Sequence, residues 1–560
     1  MMENSGVAPL LPVSPLSPQP PFPPQTEEKG GVRAGVASLP GGASSDAVTP
    51  PSLTPPFSPS EGGKGVGGIG GTYRRIAVIG LAATGLATAR ILSERGATVT
   101  VYDGKPEDKL DPARVAEAKG IAGVRLALGV GEPDWGEIDL VVPSPGVPKT
   151  ARAIAGAFER GIPVWSEIEV AYRLAVAPIL AITGTNGKTT TTALVGAICR
   201  EAGLTTFVAG NIAEDEGKRT PLIVAAVECP ADGVIVAEIS SFQLEHVHTF
   251  RPKVAAWLNL SVDHMDRYAS MDEYAEAKAK IFAAQTEDDM AVLNADDEYV
   301  MRFGTASAKP FFRDGFSLKK TTDDWDPFIQ GFRAPIGMIQ QNGDVIHDWY
   351  LFDGYDPLIR QSEVPLIGLH NIANVLAAAL IWKAFYDYLY RKEVRIERSS
   401  SDIAIEAIRS FRGVAHRMEF VAEVSGVRYI NNSMCTNPAA VEASVSAIET
   451  PLVAIAGGIH KGGDLTPMYD SLKRNARKVV LIGAAKQEIA DGLRVAGMDA
   501  GDVSFADSLP EAVSMAASLA TEGDTVMLVP GCASFDMFSG FEERGAVFRE
   551  AVRGLESNTD

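Results

Sequence analysis

Residues 72–560 predict an α/β fold of three domains in series: a Rossmann-like N-terminal domain, a central phosphate-loop ATPase domain with a parallel sheet, and a Rossmann-like C-terminal α/β domain. Three observations carry this expectation. Short apolar runs that read as strands alternate, in three separate series, with stretches whose apolar residues recur at helical spacing, and such alternation favours largely parallel sheets. A glycine-rich loop containing a lysine stands between a strand and a helix at 182–190. After a low-complexity start, roughly 490 residues remain, which at about 150 residues per domain gives about three domains.

The first 71 residues hold 14 of the 35 prolines, in runs such as PLSPQPPFPPQ, and end in GGKGVGGIGG. So few periodic apolar residues cannot offset the entropy of ordering, and a disordered Pro/Gly-rich tail is expected over 1–71. It lacks the basic start, apolar core and cleavage site of a signal peptide. The first domain, 72–173, opens with the strand RRIAVIG, the helix LAATGLATARILSERG with its glycine stop, and the strand ATVTVYD, a βαβ unit. The strand DLVVPSPGV and the phrase GIPVWSEIEVAYRLA complete it. The second, 174–413, begins with the strand APILAIT, the loop GTNGKTT and the helix TALVGAICREAG, with further strands expected at VIVAEIS and VAAWLNL. Residues 305–362 lack clean periodicity and read as hairpins and loops. LHNIANVLAAALIWKAF reads as a helix whose alanines suit close packing. The third domain, 414–560, begins after FRG and carries the strands PLVAIAGG, KVVLIGA and DTVMLVPG, each ending at small residues.

With 46% hydrophobic residues the chain can build several cores, and no apolar run approaches the ~18 residues of a membrane span, so no membrane insertion is expected. The balance of 51 Lys+Arg against 71 Asp+Glu, net −20, repels polyanions, so no nucleic acid partner is expected. Cys199, Cys229, Cys435 and Cys532 are scattered without CxxC spacing, which implies neither a disulfide framework nor a zinc cluster and suits a reducing cytoplasm. The chain is expected to act there as a monomer.

The strongest local signal is Ile182-Thr183-Gly184-Thr185-Asn186-Gly187-Lys188-Thr189-Thr190. Glycines let backbone N–H groups face a phosphate chain, the helix start adds positive potential, Lys188 adds a point charge, and the Thr189 hydroxyl can reach Mg²⁺. Ile182 stands where the common GxxxxGK[ST] pattern has its first glycine, so the loop is a shorter variant. The turn Gly80-Leu81-Ala82-Ala83-Thr84-Gly85 outlines a dinucleotide fingerprint, with Asp103 ending the second strand, but the Ala82 methyl would crowd a pyrophosphate. Glu238 ends VIVAEIS, ahead of Ser240 and Gln243, and Asn259 opens NLSVDHMDR just past another strand. A carboxylate and the His264 imidazole there could hold Mg²⁺ near a bound nucleotide; taken alone His264 is more often a hydrogen-bonding histidine than a ligand, but its company of Asp263, Asp266 and Arg267 reverses that reading. By pattern alone, Lys278 on MDEYAEAKAKIF is a solvated helix lysine. Arg417, the run Asn431 to Asn437, Lys461 within GGIHKGGD, and Cys532-Ala-Ser534 through Phe541 and Arg544 are polar groups at expected strand ends. Ser433 and Asn437 could equally cap helices.

These residues resemble the Mur ligase family, ATP-dependent amide-forming enzymes of peptidoglycan precursor synthesis, over about residues 74–552. ITGTNGKTT is shared with folylpolyglutamate synthetases. VVPSPGV, EISSFQLE, NLSVDHMDRY, YAEAKAKIF, GLHNIANVLAA, FRGVAHRMEF and PGCASFDMFSGFEERGAVF are more selective, and look like the type that adds glutamate to UDP-N-acetylmuramoyl-L-alanine. The resemblance implies that Gly184, Thr185, Asn186, Gly187, Lys188, Thr189 and Thr190 cradle the ATP phosphates. It implies one Mg²⁺ on Thr189 and Glu238, and a second served by His264 and a carbamylated Lys278. Asn371 and Asn374 match adenine contacts, Arg417 an arginine reaching the phosphates, and Asn432 a position near the ATP ribose. Thr436, Lys461, Ser534 and Phe541 match positions that hold the glutamate. Thr84, Asp103, Lys105, Ser144 and Asn211 match the surface for the UDP-linked substrate, and Ser240 is taken with them. The chain departs from the type in reading NNSMCTN for NDSKATN, which puts Asn432 in place of an acid and Met434 in place of a lysine, and in Ala213 for the second glycine of GNIG.

The implied reaction is an acyl phosphate made from ATP and then captured by an amine. A dehydrogenase would explain the turn at 80–85 but leaves the loop at 184–190 without a use. A ligase for another amino acid, or a nucleotide-binding relative without ligase activity, would share the central motifs.

Overall fold

The computed structural model describes residues 73–212, 219–265, 267–307, 313–318, 332–342, 345–350, 359, 363–366, 368–460, 462 and 464–556. The tail expected over 1–71, Ala213 and Lys461 lie outside the described residues.

Three sheets follow one another along the chain. The first comprises β1 (Arg75–Ile79), β2 (Thr98–Asp103), β3 (Val124–Leu128) and β4 (Leu140–Pro143), all parallel in the order β3-β2-β1-β4. The second comprises β5 (Ile179–Thr183), β6 (Thr206–Gly210), β7 (Val234–Glu238), β8 (Val254–Trp257), β9 (Met290–Asn294), β10 (Arg313–Ser317), β11 (Phe332–Asn342) and β12 (Val345–Tyr350). Their order is β12-β11-β10-β9-β8-β5-β7-β6, parallel as far as β11 and closed by the antiparallel pair β11–β12. The third comprises β13 (Glu419–Val424), β14 (Val427–Asn431), β15 (Leu452–Gly457), β16 (Ala476–Ile482), β17 (Val503–Phe505) and β18 (Thr525–Gly531), in the order β13-β14-β18-β15-β16-β17. Only β13–β14 is antiparallel there. The α/β expectation therefore holds, with hairpins added at the edges of the second and third sheets. The hairpin strands β11 and β12 fall in the region that the sequence reads as hairpins and loops.

The helices that matter for the site are α1 (Ala83–Glu94), α2 (Glu167–Leu174), α3 (Lys188–Glu201), α4 (Leu222–Glu228), α5 (Ser241–Leu244), α6 (Met271–Ala279), α7 (Leu369–Arg391), α8 (Pro438–Val445) and α9 (Phe541–Glu556). Strand β5 lies between β7 and β8 and is buried throughout, which is why its sequence is an unbroken apolar run. Helix α7 packs on α3 and on the strands β8 to β11. By length and composition it could cross a membrane, contrary to the expectation that no run comes close, but 78% of its apolar window is buried inside the protein. One continuous core runs from Ile76 and Leu140 through Trp165 and Ile168 of the α2 region to Leu222, Ile235 and Trp257. Helix α2 thus joins the first sheet to the second through packed apolar side chains.

Candidate active site

The phosphate loop leaves β5 and enters α3 at Gly187, whose φ of +81° is left-handed. A Cβ on Gly187 would lie 2.1 Å from Asn374 Oδ1, so only glycine admits both the turn and the close approach of α7. The loop is braced from β8: Asn259 Oδ1 accepts from the amides of Thr185 (3.1 Å) and Asn186 (2.8 Å), and Asn259 Nδ2 donates to Asn186 O (3.1 Å). Lys188 Nζ folds back to donate to the carbonyls of Gly184 (3.0 Å) and Thr185 (2.9 Å). Burial lowers its pKa from the usual lysine range.

Glu238 is buried at the end of β7, next to β5, and its two oxygens accept from Thr189 Oγ1 (2.9 Å) and Asn211 Nδ2 (3.2 Å). Lys278, expected from pattern alone to be solvated, is 1% exposed: α6 turns it inward, and Nζ donates to Gly184 O at 2.8 Å. Burial pulls its ammonium well below the usual lysine range, and the neighbouring Lys188 acts in the same direction. His264 holds a left-handed φ of 56°, its ring 4.7 Å from Phe242 and 6.0 Å from Tyr274. Lys278 Nζ lies 4.7 Å from the same Tyr274 ring, so both groups that the sequence assigned to one ion border this tyrosine.

A hydroxyl and a carboxylate beside a phosphate loop fit Mg²⁺, which takes hard oxygen ligands and completes its shell with phosphates and water. Lys278 as a protonated amine does not fit; as a carbamate it would present oxygens. Among the described residues no three His, Cys, Asp or Glu side chains form a dedicated metal cluster.

A cavity of about 460 Å³ lies between the second and third sheets, lined by Asn186, Gly187, His370, Asn374, Arg417, Asn432 and Met434 among others. Asn374 Nδ2 donates to Asn371 Oδ1 (3.0 Å), and both residues are buried at the start of α7. Arg417 reaches this cavity from a tight turn that includes His416 (φ 64°) and Met418 (φ 45°). Burial lowers its pKa, while Glu238 opposes the shift. Asn432 is engaged within the protein, its Oδ1 accepting from Met418 N (3.1 Å) and its Nδ2 donating to Ser444 Oγ (2.7 Å).

At the C-terminal edge of the first sheet the chain turns apart between β1 and β4, where ligands of open α/β sheets bind. Ser144 Oγ donates to Gly80 O (3.1 Å), and Thr84 stands in the first turn of α1. Asp103 accepts from the amides of Leu81 and Lys105, both at 2.9 Å, so it already fastens two turns together. Ser240 is a helix cap: Gln243 Oε1 accepts from its amide and hydroxyl, the capping box of α5. Beside the third sheet, Thr436 and Ser534 stand on loops and Phe541 opens α9, and Arg544 ties the segments that carry them. This side chain is 1% exposed and donates to Ser433 Oγ (3.0 Å), Ser433 O (2.8 Å) and Cys532 O (3.1 Å), while Ser433 Oγ donates to Phe541 O (2.8 Å).

The structure thus brings Lys188, Thr189, Asn211, Glu238 and Lys278 together, and places Arg417, Asn374 and Asn432 around one cavity. Sequence reasoning named Asn259 and Arg544 without finding the brace and the tie they form, and gave Tyr274 no role. For Tyr274 a signal existed, since it lies four residues before Lys278 and so on the same helix face.

Three family models match the chain: a Mur ligase MurD-like N-terminal domain over 74–166, a Mur ligase middle domain over 182–382, and a Mur ligase glutamate ligase domain over 416–532. A UDP-N-acetylmuramoylalanine--D-glutamate ligase of Pelotomaculum thermopropionicum is 42% identical over 490 residues, 86% of this chain and 98% of that protein. One of the same name from Caldanaerobacter subterraneus is 39% identical, with the same coverage. In fold, the chain resembles MurF from Acinetobacter baumannii (TM-score 0.52, 16% identity, 85% of this chain and 93% of that one). It also resembles the UDP-N-acetylmuramate-alanine ligase MurC from Thermotoga maritima (TM-score 0.50, 19% identity, 86% and 99%). With its phosphate loop, its buried strand-end glutamate and matches along nearly the whole length of its relatives, the chain belongs to the Mur ligase family.

Proposed function

We propose that this ATP-dependent ligase joins D-glutamate to UDP-N-acetylmuramoyl-L-alanine in peptidoglycan precursor synthesis, acting as a monomer in the cytoplasm without insertion into a membrane. The observation that carries the reading is Glu238, buried at the mouth of the phosphate loop and held by Thr189 and Asn211, with Lys188, Lys278 and Arg417 close by. The names of the relatives supply the two substrates.

On this reading, residues 72–173 bind the UDP-linked substrate at Thr84, Asp103, Lys105 and Ser144. Residues 174–413 bind ATP, and 414–560 bind glutamate at Thr436, Lys461, Ser534 and Phe541. The phosphate-loop amides and Lys188 hold the phosphates while Asn371 and Asn374 face the base. The substrate carboxylate attacks the γ-phosphorus, the bond to ADP breaks, and an acyl phosphate forms. Lys188 and Arg417 neutralise the charge that grows on the transferred group. Mg²⁺ on Thr189 and Glu238, with a second ion near His264 and a carbamylated Lys278, would add Lewis-acid stabilisation of the same oxygens. The amine then attacks the acyl carbon, loses a proton, and phosphate leaves, giving the amide. A free carboxylate is too poor an electrophile for that second step, which is why activation comes first. The groups for ATP and for the amine stand on different sheets, so closure must assemble them and exclude water from the acyl phosphate.

The test is phosphate release with UDP-N-acetylmuramoyl-L-alanine, ATP and a panel of amino acids that includes both enantiomers of glutamate. Release only with D-glutamate is expected. Release with a different amine, or none with any, would overturn the reading.

A further inference from the structure

Glu167 takes no part in the chemistry above, yet it is a carboxyl 2% exposed at the start of α2. Its Oε1 accepts from Ile223 N at 2.6 Å, in the first turn of α4. The Gln243 side chain faces the same carboxyl, whereas Oε2 has no hydrogen-bond partner among the described residues. Each of these contacts leads to Glu238. Helix α4 starts two residues after Thr220, whose carbonyl accepts from Gly210 N at 2.9 Å, next to Asn211, the partner of Glu238 Oε1. Gln243 uses its Oε1 on the amide and hydroxyl of Ser240, two residues beyond Glu238, and so presents its amide nitrogen to Glu167.

We infer that Glu167 is a positioning residue: from the helix that joins the first sheet to the second, it supports α4, which leads back to the segment of Asn211, and α5, which follows Glu238 in the chain, and so steadies the backbone on both sides of the Glu238 carboxylate. The inference rests on the proposed role of Glu238 toward Mg²⁺. Groups bonded directly to a metal ligand are worth roughly 10-fold to 100-fold in metal affinity, and Glu167, one contact further out, is expected at the lower end. Among the described residues no charged side chain supports the carboxyl from the elements around it. On α2, Glu169 bonds Thr249 and Arg173; beyond α5, Glu245 bonds Arg267; and Glu228 ends α4. The residue can therefore act as a neutral acid, and glutamine should replace it.

The test uses the full-length enzyme with Glu167→Gln, Glu167→Ala and Glu167→Met, the last filling the same space. Two quantities are read: Mn²⁺ affinity of the enzyme–ADP complex by water-proton relaxation, and the Mg²⁺ concentration that half-activates phosphate release. Glu167→Ala and Glu167→Met are expected to weaken both by roughly 10-fold, with Glu167→Gln at wild-type values at pH 7. Wild-type values in Glu167→Met, or a loss in Glu167→Gln as deep as in Glu167→Met, would overturn the inference. A wild-type enzyme whose phosphate release needs no divalent cation would instead sink the role given to Glu238, and this inference with it.

Discussion

Asn432 uses both ends of its amide inside the protein, toward Met418 N and Ser444 Oγ. Ser444 Oγ donates in turn to Ala440 O, so an aspartate at 432 would keep the Met418 bond and lose the donor toward Ser444. Asn432→Asp is therefore expected to cost about 1 kcal/mol of stability. If the ATP ribose reaches this position, the ionised acceptor should lower the ATP KM about fivefold; an unchanged KM would place the ribose elsewhere. Glu167 offers a pH readout. Burial without a charged partner raises its pKa from 4.5 to about 7. The folded state then holds a proton that the unfolded chain has released between these values, so the carboxyl costs nothing below pH 4.5 and on the order of 3 kcal/mol above pH 7. Glu167→Gln should accordingly gain melting temperature relative to wild type as the pH rises from 5 to 8. A gain independent of pH would show that Glu167 is ionised throughout. Lys278, as a buried amine driven toward its neutral form, is suited to add carbon dioxide. Lys278→Ala should lose activity and recover part of it with added acetate, and full activity of the plain variant would contradict the carbamate.

At the scale of elements, the join of β5 to α3 decides whether a phosphate can be held. Gly187→Ala forces a left-handed alanine and drives its methyl into Asn374. The backbone conformation alone costs about 1–2 kcal/mol. Displacing Asn374 should add a rise in ATP KM of about tenfold, since 1.4 kcal/mol of lost binding corresponds to that factor. Steady-state kinetics with a thermal melt separates the two effects, and an unchanged KM would show that Asn374 does not face the nucleotide. Helix α5 shows a different economy of residues: Ser240 and Gln243 cap it, and Gln243 also faces Glu167.

Across the whole molecule, the loop after β4 is fastened to the second sheet. Arg267 donates to Glu245 (2.6 Å) and to Val147 O (3.0 Å) and lies 4.3 Å from the Phe242 ring, while Lys149 bonds Glu273. Arg267 and Glu245 are both largely buried, so Arg267→Ala strands a carboxylate and should cost about 3 kcal/mol. Because Val147 follows Ser144 and Gly146, the KM for the UDP-linked substrate should rise several-fold more than that for ATP. Equal changes would mean that this clasp only stabilises the fold.

The sequence by itself determined the three α/β series, the phosphate loop and the strand-end position of Glu238, because apolar periodicity and glycine placement are local properties that each segment carries alone. It also marked Arg417, Asn371 and Asn374 through the family pattern, without saying what they would face. Only the tertiary structure decided that Lys278 is buried on Gly184 O rather than solvated, since α6 contributes little periodicity and its inward face is set by packing on the loop. Hairpins were expected within 305–362 without their strands being placed, and β11–β12 falls there, whereas β13–β14 was not foreseen. Glu167 reads in the sequence as one more acid in SEIE. Its role depends on Ile223 and Gln243, 56 and 76 residues away in the chain, and contacts over such separations exist only once the sheets have packed.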